Sequence, residues 1–406
     1  MPSLNILISA YACQPDMGSE PGVGWHMVQE LARYHNVWVL TREENRSAIE
    51  KSMRTTPISN LEFVYCEPPG LAKKLPTAQV PHYYLWQIGA YFAAKQLCQQ
   101  VSIDLIHHVT YVRYSTPSFL SLLPEPFVWG PVGGGEAAPA PFWSDFSRRG
   151  KVYEVLRSLA HRVGELDPFT RITARRSALT RATTQDTANR LQLLGANNLE
   201  VYSESGLSTD EIERLAACSM PKGSPIRFIS MARLLHWKGI HLGIRAFEQA
   251  NLPEGSEYWI LGEGIERAYL ENMIDELDIK DQVKLLGRLP RSETLEKLSE
   301  CHALVHASLH DSGGWVCLEA MAAGRAVICL DLGGPSVQVT EEAGFKISAV
   351  TPEQTVTDIS KAMEELANNK TLRGKMGTSG QQRVRDFFSW EAKVKELNRR
   401  YAEVCH

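Results

Sequence analysis

Apolar and polar positions along this chain alternate in two periods, one typical of buried strands and one of amphipathic helices. The first block opens with the apolar run "NILISAY", passes through a loop rich in Gly and Pro, and continues with apolar residues at helical spacing in "WHMVQELARY". Further strand-like runs follow as "HNVWVLT", "LEFVYCE" and "DLIHHVT". Strands that alternate with helical stretches predict a parallel sheet covered by helices on both faces.

The same alternation restarts after residue 220, with strand-like runs "PIRFISMARL", "EYWILGEG", "QVKLLGRL" and "HALVHAS". Two consecutive blocks predict an α/β protein of two doubly wound, Rossmann-like domains. In such sheets ligands bind at the carboxyl ends of the strands, so we expect a ligand in a cleft between two facing domains. We predict domains at 1–206 and 207–385, with the last helical stretch, about 386–406, crossing back to the first domain.

Composition narrows the class of protein. The chain has 406 residues, of which 44% are hydrophobic and 22% charged, as in a globular protein with two cores. The formal charge of −4 gives no reason to expect nucleic acid as a partner. Eight scattered cysteines without C-x-x-C spacing, a first apolar run too short for a signal peptide, and no run of about 18 apolar residues predict a cytoplasmic protein without a membrane span.

The first chemical candidate is "MARLLHWKG", where Arg233 and Lys238 follow a predicted strand. Two cations at the carboxyl end of a strand suit a diphosphate, because Arg grips two oxygens while Lys supplies a point charge. Taken alone, the pair is also compatible with solvated surface cations beside a turn.

The second candidate is "HDSGGWVCLEAMAAG", a loop followed by a helix. The N–H groups of Trp315 and Val316, behind Gly313 and Gly314, predict an anion site at the start of that helix. Two acids, Asp311 and Glu319, stand eight residues apart around this loop. Each carboxylate can accept hydrogen bonds from neighbouring sugar hydroxyls, although acids near a helix start also favour the helix itself.

Two glycine-rich loops are weaker candidates. In "GSEPGVGW", Gly22 and Gly24 precede a predicted helix and would let the backbone approach a phosphate, but a tight turn explains them equally well. In "WGPVGGGE", three glycines lead to Glu136, a candidate contact to an acceptor hydroxyl or a proton acceptor, with a plain loop as the alternative.

His107 and His108 close the predicted strand "DLIHHV" and therefore point to opposite faces of the sheet. At most one of them can reach a ligand, and a buried histidine satisfied by the backbone is the more common outcome.

Residues 148–181 carry nine cations and only three acids, with apolar residues on one helical face. A basic amphipathic helix can lie on an anionic membrane surface, so this region predicts peripheral membrane contact. A helix packed on its own domain, with a solvated basic face, is the alternative.

Metal chemistry finds little support in the sequence. It contains no D-x-D, no H-E-x-x-H and no Cys/His cluster, and the serine motif G-x-S-x-G is also missing. We therefore expect no metal and no cofactor, with a leaving diphosphate stabilised by Arg, Lys and a helix N-terminus.

Several phrases resemble the family 4 glycosyltransferases of GT-B fold. The family phrase "SxxEGFGxxxLEAMAxGxPV" is similar to "SLHDSGGWVCLEAMAAGRAV" here, "GRLxxxKG" to "ARLLHWKG", and "FLGxL" to "LLGRL". The phrases "SEPGVGW" and "WGPVGGGE" are similar to a bacterial, often cyanobacterial, exopolysaccharide branch of heterocyst envelope type. Two departures are Asp311 in place of glutamate and "HHV" in place of H-x-H.

The resemblance implies a metal-independent, retaining hexosyltransferase that uses a nucleotide sugar. Arg233 and Lys238 would hold the diphosphate, Glu319 the ribose, and Asp311 with Gly313 and Gly314 the hexose. The backbone around Arg288 and Leu289 would read the base, and Gly22 and Gly24 would approach the phosphate. The candidates for catalysis are Arg233, Lys238, Asp311, Glu136, His107 and His108.

The resemblance also implies a glycan or lipid-linked acceptor, and its exopolysaccharide branch favours UDP-glucose as donor. GDP-mannose and UDP-N-acetylglucosamine stay open as donors, as does a nucleotide-sugar epimerase of similar fold. A non-catalytic sugar-binding protein is a third class. A nicotinamide oxidoreductase is disfavoured because G-x-G-x-x-G is missing.

Overall fold

The structure, a computed structural model, describes residues 3–70, 76–77, 80–221, 223 and 225–405. The chain divides into two compact units. The first comprises Met1–Gly135, Leu156–Gly206 and Trp390–His406, and the second comprises Glu136–Val155 and Leu207–Ser389.

The first unit is built on a parallel sheet of seven strands in the order β3-β2-β1-β4-β5-β6-β7. Its strands are β1 (Asn5–Ala10), β2 (Asn36–Thr41), β3 (Leu61–Tyr65), β4 (Leu105–Thr110), β5 (Phe127–Val132), β6 (Leu179–Ala182) and β7 (Leu199–Val201). The helices that follow in the chain are α1 (Ser19–Leu31), α2 (Arg46–Thr55), α3 (Val80–Gln100), α4 (Arg148–Leu166), α5 (Pro168–Arg176) and α6 (Gln185–Leu194). Helix α4 begins in the second unit and ends in the first.

The second unit is built on a parallel sheet of six strands in the order β10-β9-β8-β11-β12-β13. Its strands are β8 (Arg227–Met231), β9 (Glu257–Leu261), β10 (Val283–Gly287), β11 (Ala303–His306), β12 (Ala326–Leu330) and β13 (Gly344–Ile347). Its helices are α7 (Thr209–Ala216), α8 (Ile240–Gln249), α9 (Arg267–Glu276), α10 (Arg291–Ser299), α11 (Trp315–Ala322), α12 (Gly333–Gln338), α13 (Pro352–Asn368) and α14 (Lys370–Arg383). Both sheets have the doubly wound order, so the predicted α/β class with two Rossmann-like domains is confirmed.

The last helix, α15 (Trp390–Cys405), belongs to the first unit, as the sequence predicts for the C-terminal stretch. The ring of Tyr401 is buried, and its hydroxyl lies 2.6 Å from Nδ1 of His107 on β4. Glu396 accepts a hydrogen bond of 2.5 Å from Arg181 on β6. Buried apolar and ionic contacts together hold α15 on the first sheet.

The segment Glu136–Val155 differs from the predicted division, which assigned everything up to residue 206 to the first domain. Ala138, Phe142 and Phe146 are buried in the apolar core of the second unit. These side chains place the segment in the second unit, because burying three apolar residues in that core stabilises this arrangement. The position of the segment directly after β5 in the sequence does not reveal this.

Across the described residues, no helix is both long and apolar enough to cross a membrane. All eight cysteines fall within the described part of the chain and all are free thiols.

Candidate functional site

The second sheet reverses its strand order between β8 and β11, which lie side by side. The strands that follow β8 in the chain, β9 and β10, lie on one side of it, whereas those that follow β11, β12 and β13, lie on the other. The loops after β8 and β11 therefore diverge, and sheets of this type bind ligands in the crevice at such a point. The loop after β8 carries Arg233 and Lys238, and the loop after β11 carries Asp311. Three of the residues selected from the sequence therefore lie at one place in the fold.

Close backbone contact holds these two loops together. Gly239 adopts a left-handed conformation with φ of 64°, and a Cβ at this position would collide with the carbonyl of Ala307. The N–H of Leu309 donates a 2.7 Å hydrogen bond to the carbonyl of Trp237. The glycine of "HWKG" thus serves the approach of one loop to the other.

Lys238 and Asp311 form an ion pair, with 2.5 Å between Nζ and Oδ2. Nε2 of His306, at the end of β11, lies 3.2 Å from the same oxygen, and the N–H groups of Gly313 and Gly314 donate to Oδ1 at 3.3 Å. Burial disfavours the charge, but His306 and Lys238 together hold the pKa of Asp311 well below its usual range. Asp311 is therefore a carboxylate at neutral pH, shared between a cation and a backbone turn.

Arg233 is exposed at the same strand end, while Lys238 is half-buried. The two cations of this loop therefore differ, because Lys238 is paired with Asp311 whereas the Arg233 side chain is solvated.

The predicted helix start after the glycine pair is observed as α11. Gly314 is its N-cap in a left-handed conformation with φ of 56°, so Trp315 and Val316 lie in the first turn. N–H groups of a first turn lie outside the helix's own ladder and face an anion favourably. Gly324 follows the other end of the helix with φ of 71°.

Glu319 is buried in α11 and accepts a 2.6 Å hydrogen bond from Arg291 at the start of α10. Arg291 also donates to Glu211 of α7 at 2.9 Å. Burial raises the pKa of Glu319, and Arg291 partly offsets that effect. The carboxylate that the resemblance assigns to the ribose thus shares its oxygens with a half-exposed arginine.

Arg288 and Leu289 follow β10 directly, just before Arg291. Arg288 is exposed, whereas Leu289 packs against the apolar core beneath it. Both lie at the carboxyl edge of the same sheet.

Glu136 belongs to the second unit and is buried. Its Oε2 accepts a 2.7 Å hydrogen bond from the hydroxyl of Ser312, the residue after Asp311. The structure therefore brings this acid, selected from a glycine-rich loop of the predicted first domain, to the loop that carries Asp311.

Sequence reasoning missed Glu154, the acid that joins the two loops. It lies on α4 with only 1% of its surface exposed, and its Oε1 accepts from Nε2 of His236 at 3.0 Å and of His310 at 3.1 Å. Because His236 is two residues before Lys238 and His310 directly precedes Asp311, one carboxylate holds both loops. No local signal reveals this, since the partners are 82 and 156 residues away in sequence.

His306 and Arg291 were also missed, although a signal existed for both. Each stands at or just beyond the carboxyl end of a strand, which is the position that selected Arg233 and Asp311.

His107 and His108 lie in the first unit and are fully buried. His107 binds Tyr401 and the carbonyl of Gly130, both at 2.6 Å, while His108 binds Tyr83 at 2.9 Å and Ser9 at 2.7 Å. Burial lowers the pKa of each ring to about 3. Both rings have two hydrogen-bonded nitrogens, and this placement lends no support to a catalytic role.

Gly22 and Gly24 also lie in the first unit, inside α1 rather than before it, because the helix begins at Ser19. A Cβ at Gly22 would collide with the carbonyl of Met17, and one at Gly24 with that of Ala12. Their lack of a side chain accommodates the preceding loop, which explains both glycines without a phosphate.

Among the residues that the structure describes, no group of three or more His, Cys, Asp or Glu side chains is arranged to hold a metal ion. The expectation that the chemistry needs neither metal nor cofactor stays a prediction.

Part of the second unit matches a known protein family. Residues 215–383 match the family model "Glycosyl transferases group 1". Lipopolysaccharide core biosynthesis glycosyltransferase LpsD of Rhizobium meliloti is 29% identical over 164 residues, which cover 40% of this chain and 46% of that protein. Human alpha-1,3/1,6-mannosyltransferase ALG2 is 25% identical over 216 residues, half of each chain. The chain thus matches about half the length of these curated relatives.

Among solved structures, HepE of Anabaena in complex with UDP and glucose superposes with a TM-score of 0.59 at 17% identity, covering 98% of this chain and all of the other. At that identity the likeness shows the fold alone, and it extends over both units. Residues 215–383, most of the second unit, are thus similar to the glycosyl transferases group 1, and the whole chain shares the fold of two Rossmann-like domains with HepE.

Proposed function

We propose that the protein transfers a glucosyl group from UDP-glucose to a sugar or lipid-linked sugar acceptor in polysaccharide biosynthesis, with retention of configuration and without a metal. The observation that carries this proposal is the Lys238–Asp311 ion pair at the switch point of the second sheet, beside the start of α11. A cation, an acid and a helix N-terminus within one crevice match the three parts of a sugar diphosphate: phosphate charge, sugar hydroxyls and leaving oxygen.

The diphosphate end of the donor is assigned to Lys238, Arg233 and the first turn of α11. When the bond between the anomeric carbon and the phosphate oxygen breaks, negative charge grows on that oxygen. Fixed cations and backbone N–H groups stabilise it there, a type of contribution worth about 3–4 kcal/mol for each well-placed donor. This arrangement supports cleavage without a metal.

The hexose is assigned to Asp311 and Glu136. Both acids reach one loop, since Asp311 is part of it and Glu136 binds Ser312 within it. Asp311 already has Lys238 and two backbone N–H groups on its oxygens, so it is suited to fix the loop and to accept from one sugar hydroxyl. Glu136 supplies a second carboxylate at that end.

The ribose is assigned to Glu319. A buried carboxylate held by Arg291 from one side keeps acceptor capacity for a hydroxyl on another, because each oxygen has two lone pairs. Arg288 and Leu289 lie at the same sheet edge, where the backbone would meet the base.

UDP-glucose is preferred as donor because HepE, of the same fold, is described in complex with UDP-glucose. A mannosyl donor such as GDP-mannose is the second candidate, because the mannosyltransferase ALG2 is among the sequence relatives. We place the reaction in the cytoplasm, where eight free thiols persist.

Donor binding and turnover test the proposal separately. Thermal shift with UDP-glucose, UDP-galactose, UDP-N-acetylglucosamine, GDP-mannose and UDP identifies the donor, since a ligand bound only to the folded state raises the melting temperature. Transfer to chromogenic glycosides, with and without EDTA, then measures metal dependence, and NMR of the product measures the anomeric configuration. A stabilising nucleotide sugar that is turned over in EDTA supports the proposal.

Three results would contradict it in different ways. No stabilisation by any nucleotide sugar removes the donor site. Conversion of the donor alone to an epimer identifies an epimerase instead. Saturable donor binding with no turnover on any acceptor indicates a sugar-binding protein.

A further inference from the structure

Helix α4 exposes its apolar side to solvent. Leu159 is 56% and Val163 is 64% exposed. Other valines and leucines at helical spacing on the same side of α4 are also more than half exposed. The exposed valines and leucines of α4 form one stripe along the helix: Val152, Val155, Leu156, Leu159, Val163 and Leu166. The alternative from the sequence, an apolar face packed on its own domain, is therefore not what the structure shows.

The side of α4 opposite the stripe packs on the protein, so the stripe is exposed although the helix itself is held in place. Near its start, Glu154 is buried on His236 and His310 within the second unit. Near its end, Gly164 lies so close to Ser115 of the first unit that a Cβ would collide with its carbonyl. The helix cannot rotate about its axis to hide the stripe without losing these contacts.

Cations flank the exposed stripe. Arg148, Arg149, Lys151 and Arg162 are exposed. The two acids of the helix lie on the other side: Glu154 is buried, and Glu165 is half-buried, 3.0 Å from the hydroxyl of Tyr114. The solvent side of α4 therefore combines apolar and positively charged groups with no acid.

We propose that α4 docks this protein on an anionic lipid surface, with the stripe in the interface and the cations at the phosphate level. The helix has 19 residues, about 28 Å of contact length at 1.5 Å per residue, and lies flat with its polar side held by protein. An anionic lipid surface offers hydrocarbon to bury the apolar stripe and negative charge to pair with the flanking cations.

A second copy of the chain fits the stripe less well. Pairing two such helices through their apolar sides would bring two sets of flanking arginines and lysines together, and like charges at close range repel. Charge complementarity thus favours the lipid, and self-association becomes an outcome of the test.

Flotation with vesicles tests the docking without any donor or acceptor. Full-length protein is mixed with vesicles of phosphatidylglycerol in phosphatidylcholine, or of phosphatidylcholine alone. We expect at least about tenfold more protein on the anionic vesicles at low salt, falling as salt rises. Equal binding to both vesicles, or no binding to either, overturns the proposal.

Variants then assign the binding to α4. L159E combined with V163E is expected to abolish vesicle binding, and R149E combined with R162E to reduce it at least about tenfold, both with unchanged circular dichroism. The matched control is L193E, because Leu193 is a 78% exposed leucine on α6, outside the stripe. The L193E protein should bind vesicles as the wild type does.

Binding retained by both double variants would show that another surface holds the lipid. A wild-type dimer in sedimentation that L159E with V163E converts to monomer would show that a second copy covers the stripe. The result is independent of the proposed glucosyl transfer, since vesicle binding is measured whether or not a donor is turned over.

Discussion

Lys238 and Asp311 meet across the switch point of the second sheet, with 2.5 Å between ammonium and carboxylate. They are 73 residues apart in sequence. Their contact couples the two ends of the proposed donor site, because the cation assigned to the diphosphate and the acid assigned to the hexose share a hydrogen bond. Changing either residue should therefore affect both functions.

Lys238→Ala should lower kcat/KM for donor cleavage about a hundredfold or more, because it removes the fixed cation from the leaving diphosphate. Steady-state release of UDP from the donor measures this. Lys346→Ala is a matched control, since Lys346 lies on β13 of the same unit and pairs with Asp331, after β12, at 3.0 Å. Equal kinetics of Lys238→Ala and wild type would remove Lys238 from the site.

Glu319→Gln separates a ribose contact from a purely structural role. If Glu319 binds the ribose, the donor KM should rise at least about tenfold, while Arg291→Ala chiefly lowers stability, by about 1–3 kcal/mol, because it leaves a buried carboxylate without its cation. Donor KM from steady-state kinetics, supported by titration with UDP, measures the first effect, and thermal unfolding of both variants measures the change in stability. A Glu319→Gln protein that loses stability but binds UDP normally would show that Glu319 only pairs with Arg291 and does not bind the ribose.

Glu154→Gln should reduce turnover about tenfold to a hundredfold while leaving a folded protein, because the amide keeps the shape but weakens the hold on His236 and His310. The readout is the split between kcat and KM together with the pH profile of kcat. Glu165→Gln, at the other end of α4, controls for changes to the helix. A Glu154→Gln enzyme with wild-type kcat and pH profile would show that the two loops keep their positions without this charge.

His107 and His108 should make the protein less stable as the pH falls. Both rings stay neutral in the fold down to about pH 3, whereas an unfolded histidine binds a proton near pH 6.5. The unfolded state therefore gains protons first, and stability drops between about pH 6.5 and 3 by up to about 1.4 kcal/mol per pH unit for each ring. Urea unfolding from pH 7 to 5 should show a shallower fall in His108→Gln than in wild type, and identical slopes would contradict the buried neutral ring.

Gly24→Ala should destabilise the first unit by about 1–3 kcal/mol, because the methyl group would meet the carbonyl of Ala12. Gly374→Ala is the control: Gly374 lies in α14 with open space around a Cβ, so the same change should stabilise by up to about 1 kcal/mol. Thermal unfolding measures both. A Gly24→Ala protein with normal melting temperature and a raised donor KM would restore the predicted approach to a phosphate.

The periodicity of the chain was enough to predict β1 to β4, β8 to β11 and the two doubly wound sheets. These follow from local patterns, since apolar runs of strand length separated by amphipathic helices permit few other architectures. Residues placed just after a strand, such as Arg233 and Asp311, could be selected for the same reason. The glycines of "HDSGG" were interpreted correctly as a helix start because left-handed backbone is a local property.

Tertiary structure alone decided which of these candidates meet. Glu136 and Glu154 come from a segment that the sequence places with the first domain, and only the burial of Phe142 and Phe146 in the second core brings these acids to the site. His107 and His108 have the same sequence signal as His306, a histidine near the end of a strand, yet they are fully buried and bind Tyr401 of α15 and Tyr83 of α3. A pattern along the chain specifies which face a residue occupies, whereas its partners across that face are set by packing between distant segments.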